Sequence, residues 1–120
     1  MNFALGSDGS AYVTGNTSSE DFPTTPGVYS TEFPGISSVF IARLNSQGTG
    51  LNYATYLAAG IAYAIAVDSE GAAFVTGKTG AGFPVTENAF DKTYNDTAGL
   101  NDTFITKINP TGSELVFSTY

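Results

Sequence analysis

The sequence predicts an all-β chain built from two four-stranded antiparallel sheets, and three observations carry that expectation. The chain repeats itself: Ser7 to Thr17 (SDGSAYVTGNT) is matched by Ser69 to Thr79 (SEGAAFVTGKT), an offset of about 62 residues. It is rich in Gly, Thr, Ser, Tyr and Phe and poor in the Leu, Lys, Arg and Glu that build long helices. Turn-forming residues also separate its apolar runs at hairpin intervals.

The repeat extends well beyond its opening motif. Phe22-Pro23-Thr24-Thr25 corresponds to Phe83-Pro84-Val85-Thr86, and Phe40 to Asn45 (FIARLN) to Phe104 to Asn109 (FITKIN). Leu51 to Tyr56 (LNYATY) corresponds to Leu115 to Tyr120 (LVFSTY). Each copy holds four short runs, a to d, of β-branched, aromatic and small residues. In the first copy they lie near Phe3 to Leu5, Ala11 to Thr17, Val39 to Leu44 and Leu51 to Leu57. In the second they lie near Ala62 to Val67, Ala72 to Thr79, Thr103 to Ile108 and Leu115 to Tyr120. Ser7-Asp8-Gly9 and Ser69-Glu70-Gly71 supply the turns between a and b. Asn45-Ser46-Gln47-Gly48 and Asn109-Pro110-Thr111-Gly112 supply those between c and d.

Run c alternates Phe40, Ala42 and Leu44 with Val39, Ile41 and Arg43, so both sheet faces carry apolar residues. A sheet buried on both faces needs a neighbour on each. Four-stranded units stacked along a chain are the blades of a β-propeller, which has typically 4–8 of them. Two such units, residues 1–60 and 61–120, make an incomplete propeller.

Several motifs together resemble a known family. Ala66-Val67-Asp68-Ser69-Glu70-Gly71, Phe74-Val75-Thr76-Gly77, Asp21 to Gly27 (DFPTTPG), Ala42-Arg43-Leu44-Asn45 and Tyr53-Ala54-Thr55-Tyr56-Leu57 are similar to the SBBP β-propeller repeats of bacterial secreted and surface proteins. The resemblance covers nearly the whole chain. It implies a blade of an extracellular, repetitive protein and brings no catalytic residues with it. The chain departs from the pattern between d and a, where Ala58-Ala59-Gly60 replaces a longer Gly- and Asp-containing loop.

Charge narrows the function. The formal net charge is −7, with Arg43, Lys78, Lys92 and Lys107 as the cations, which argues against nucleic-acid and anionic-membrane partners. There is no Cys, His or Trp, which excludes thiol nucleophiles, Ser-His and Cys-His dyads and thiolate or imidazole zinc sites. No cofactor is expected. Met1 to Gly6 (MNFALG) lacks the basic and apolar regions of a signal peptide, and no apolar stretch approaches bilayer length.

The connections between b and c, about Ser18 to Ser38 and Gly80 to Asp102, are too long to stay structureless. Thr25-Pro26 and Thr86-Glu87 read as helix N-caps with favourable first-turn residues. Tyr29 with Phe33, and Phe90 with Tyr94, would then share one face of a one- or two-turn helix and pin the loop to its sheet. The functional alternative for these aromatics is a sugar-stacking platform. Glu20-Asp21 reads as a solvated loop, since adjacent acids do not face each other across a glycoside. Asn16, Asn95 and Asn101 begin Asn-x-Ser/Thr sequons that have no consequence in a bacterial chain. Arg43 and Lys107 occupy equivalent strand ends, where a lone cation is more often solvated than paired.

The candidate partner-binding residues are Asn95, Asp96, Asn101 and Asp102. They sit in the second b to c connection, on a three-residue insertion relative to the first. Their spacing around Gly99 does not fit a calcium loop. The reading favoured is a non-enzymatic structural or binding module of a larger surface or secreted protein, with further blades and a protein or glycan ligand as partners. One alternative is a fragment of a propeller enzyme such as a lyase or glycoside hydrolase, whose channel would use Asp68. Another is a small chain that closes a ring by self-association. Met1 falls directly before run a and Tyr120 within d, which favours a piece of a longer chain over the ring. The apolar residues expected to lie uncovered on the outer faces are Ile41 or Phe40.

Overall fold

The hairpin turns form where Asn and Asp side chains can hold the main chain. Asp8 Oδ1 accepts the Ser10 N–H at 2.9 Å, and Asp68 Oδ1 accepts those of Glu70 and Ala72. Asn45 Oδ1 and Asn109 Oδ1 accept the N–H groups of Thr49 and Ser113 at 2.9 Å. The strands between these turns pair as antiparallel neighbours. A computed structural model describes residues 2–94 and 102–120.

The first sheet has the order β1 (Asn2–Leu5), β2 (Ala11–Thr17), β3 (Ser38–Leu44) and β4 (Leu51–Ala58). The second repeats it with β5 (Ile61–Val67), β6 (Ala73–Thr79), β7 (Asp102–Ile108) and β8 (Leu115–Thr119). Both are antiparallel throughout. Across the sheets the backbones come together where β5 approaches β1 and β2.

Period-two alternation decides what lies between the sheets. Tyr12, Val39, Ile41, Tyr53 and Leu57 of the first unit meet Ala73, Val75, Phe83, Phe104 and Ile108 of the second in one buried cluster. A smaller cluster of Phe40, Ala42 and Ala54, with Val13 and Phe22, lies on the other face of the first sheet. Here an expectation fails: Ile41 is 0% and Phe40 7% exposed, so neither is uncovered. Ile41 faces the second sheet, and Phe22 of the long β2–β3 connection folds over Phe40 at 4.7 Å between ring centroids.

The expected helices are also absent among the described residues. The Thr25 N–H donates to Ala54 O and its Oγ1 accepts the Ala54 N–H, both at 3.0 Å. Thr86 does the same with Ser118. A hydroxyl engaged on the outer edge of β4 or β8 cannot cap a helix. The aromatics accordingly part company: Phe33 stacks on Tyr56 and Tyr94 on Tyr120, whereas Tyr29 packs towards the second sheet.

Candidate functional site

Two regions deserve a chemical reading: the junction of the two a–b turns, and the opposite rim, where the β2–β3 connection and the β4–β5 link meet. At the first, β2 and β3 place Tyr12 and Arg43 side by side as ladder partners. The Arg43 guanidinium lies 5.1 Å from the Tyr12 ring centre and pairs with Asp8 at 2.8 Å. From there it crosses to the second sheet, donating to Pro110 O at 2.9 Å, while the Tyr12 hydroxyl donates to Gly71 O at 3.0 Å. Neither cation of the repeat is merely solvated, as the sequence had suggested. Lys107 lies 3.6 Å from Asp68 and 5.1 Å from the Phe74 ring centre, a similar trio in the second unit whose acid comes from another position, since Asp68 aligns with Gly6 and Asp8 with Glu70.

Asp8 has its carboxyl lowered to about 2, first by the Ser10 backbone N–H, then by the Ser10 side chain and Arg43. Asp68 is lowered by the Ala72 N–H first, then the Glu70 N–H and Lys107. Both are therefore carboxylates at neutral pH. The folded pKa of Asp8 lies below its unfolded value, so the stability it adds is complete above about pH 4 and disappears as pH falls towards 2. Acid unfolding followed by circular dichroism should show this loss in the wild type. Asp8→Asn should flatten it, and an unchanged acid limb would refute the assignment.

The opposite rim holds a groove of about 400 Å³ lined by Ile36, Ser37, Gly60, Ile61, Lys78 and Thr79, among others. Asp102 opens β7 directly across from Thr79, which brings that candidate residue to the groove's border. The other three candidates, Asn95, Asp96 and Asn101, lie outside the described residues. The Asn95 to Thr97 oxygen cluster and most of the insertion do so too.

Sequence reasoning missed Asn16 on this rim. Its carboxamide donates to Gly60 O and accepts the Ala62 N–H at 3.1 Å, tying the end of β2 to the start of β5. Thr79 Oγ1 adds a bond to Ala59 O at 2.8 Å. The short apolar link between the sheets is thus held by its main chain. An Asn at a strand end, where the other copy has Lys78, was the available signal. Glu20 and Asp21 are exposed, as expected of a solvated loop. Among the described residues no three His, Cys, Asp or Glu side chains converge as a metal site would require, and no helix is long and apolar enough to cross a membrane.

No family model matches the chain, and no curated protein or solved structure is detectably similar to it.

Proposed function

We propose that the chain is a non-enzymatic structural and binding module: two β-propeller blades, of the kind the SBBP resemblance implies, belonging to a surface or secreted protein. One observation carries this reading. The face that the first unit buries against the second, with Tyr12, Ile41 and Arg43, has its counterpart in Phe74, Ile105 and Lys107, which the second unit turns outward. A unit that stacks by one face and offers the same face onward is suited to serial stacking, as in a propeller.

The rim groove is the place for a ligand, since its walls are connections carried on a rigid pair of sheets. A protein or glycan would meet Asp102 there. Asp68, the acid that the channel alternative would use, already accepts two main-chain N–H groups and pairs with Lys107. That occupancy favours a turn-holding role over general acid catalysis.

Appending a second copy of residues 61–120 to the chain tests the stacking. In a cysteine-free protein, Ile105→Cys should react readily with a maleimide in the original chain and be protected at least tenfold in the extended one. Equal reactivity in both would reject the blade reading. Glycan and peptide arrays test the rim: joint replacement of Asn95, Asp96, Asn101 and Asp102 by Ala should abolish binding of any array hit and leave the melting curve intact. Loss of that binding on Asp68→Asn instead, with the loop replacements silent, would favour the channel.

A further inference from the structure

Each outward sheet face is one half of an interface that the molecule has already formed once. On the second sheet the open face carries Phe74, Ile105 and Lys107, and Phe90 of the β6–β7 connection is exposed as well. Its counterpart on the first sheet, Tyr12, Ile41, Arg43 and Tyr29, is packed against the second unit. Ile41 is 0% exposed where Ile105 is 40%, and Phe90, the counterpart of the half-buried Tyr29, is 96% exposed.

The other half is open as well. Ile65, Val67 and Leu115 of the second unit pack into the cluster between the sheets. Their counterparts on the first unit, Phe3, Leu5 and Leu51, are 69%, 67% and 39% exposed. Every one of these positions is apolar in both copies, so the first sheet offers what the second sheet's open face lacks.

From this complementarity we infer that the outward face of the second sheet is a docking surface for the outward face of the first sheet of a second copy of this chain. The inference rests on the blade-stacking reading above. Polar contacts of the internal interface define how the copies register. Arg43 donates to Pro110 O and the Tyr29 N–H to Gly112 O at 2.7 Å. By repeat equivalence Lys107 meets the Ser46 carbonyl of the second copy and the Phe90 N–H meets that of Gly48.

One contact has no counterpart. Tyr12 donates to Gly71 O, but Phe74 has no hydroxyl for the Gly9 carbonyl of the second copy. The interface between copies is therefore weaker than the internal one. Because its two halves differ, the contact is head-to-tail and closes only as a ring, three copies giving six blades and four giving eight.

Sedimentation velocity on the whole chain tests the inference, in about 0.3 M salt so that the −7 charge of each copy is screened. The wild type should assemble reversibly. Ile105→Asp blocks one half and Leu5→Asp the other, so each variant alone should stay a single copy. An equimolar mixture should form a one-to-one dimer and nothing larger, because one intact half remains on each partner. Phe74→Tyr should tighten assembly about two- to tenfold through the supplied hydroxyl.

A wild type that remains one copy at about 0.1 mM overturns the inference, since even a weak specific contact reaches that range. Assembly undiminished in both aspartate variants, or a mixture that does not pair, overturns it too. Should either aspartate variant lose its cooperative melt, Ile105→Ser and Leu5→Ser give the same pairing test with less strain. Protection of Ile105→Cys in the covalently extended chain, together with a monomeric wild type, would leave blade stacking standing and self-docking refuted.

Discussion

Replacing Gly77 by Ala should destabilise the chain by at least about 3 kcal/mol, among the larger effects of a single substitution. Gly77 lies on β6 opposite a register irregularity between Ala62 and Ala64 of β5. A Cβ there would sit 2.0 Å from Ile61 O and 3.0 Å from Ala62 Cα. The obstacle is backbone, so no rotamer relieves it. Either the bulge must open or the β5–β6 ladder must shift, and β5 is the strand that brings the sheets together. Gly80→Ala is the control, since nothing lies within 4 Å of its added methyl. Chemical denaturation should show a large drop in midpoint for the first variant and almost none for the second. An unaltered midpoint for Gly77→Ala would mean that the bulge is soft.

Ile41→Ala and Ile105→Ala make one chemical change at repeat-equivalent positions and should differ several-fold in cost. Ile41 is fully buried between the sheets, where removing the side chain leaves a cavity and costs about 2–5 kcal/mol. Ile105 is 40% exposed on the open face, so its truncation should cost under about 1 kcal/mol in dilute solution where copies do not associate. Equilibrium unfolding of the two variants at low concentration checks the ratio. Equal costs would contradict the asymmetry of the two faces.

The same pair shows where sequence reasoning stops. Run c carries apolar residues on both sides of the strand in each copy, and alternation separates the sides without saying which is covered. Ile41 or Phe40 was expected to lie open, yet one meets the second sheet and the other is covered by Phe22. Thr25 and Thr86 failed for a related reason. A threonine hydroxyl accepts whichever N–H the fold brings near, and here that donor belongs to Ala54 or Ser118, about 30 residues further on. In the candidate site, Asp102 was legible as a polar residue on an insertion. Asn16 was not, because its partners are Gly60 in the link between the sheets and Ala62 of β5, more than 40 residues further on.

Legible in short stretches of sequence are the eight strands among the described residues, their up-and-down order within each half, and the Asn- and Asp-held turns between them. These depend on residues a few positions apart, through period-two alternation and side-chain to main-chain hydrogen bonds. Tertiary packing alone settled which face of each sheet is covered, that Arg43 and Tyr12 reach across to Pro110 and Gly71, and that Thr25 and Thr86 dock on β4 and β8. Each of those outcomes depends on a partner distant in sequence. Whether a face is buried is a property of what stacks on it, so identical residues in the two copies meet opposite fates.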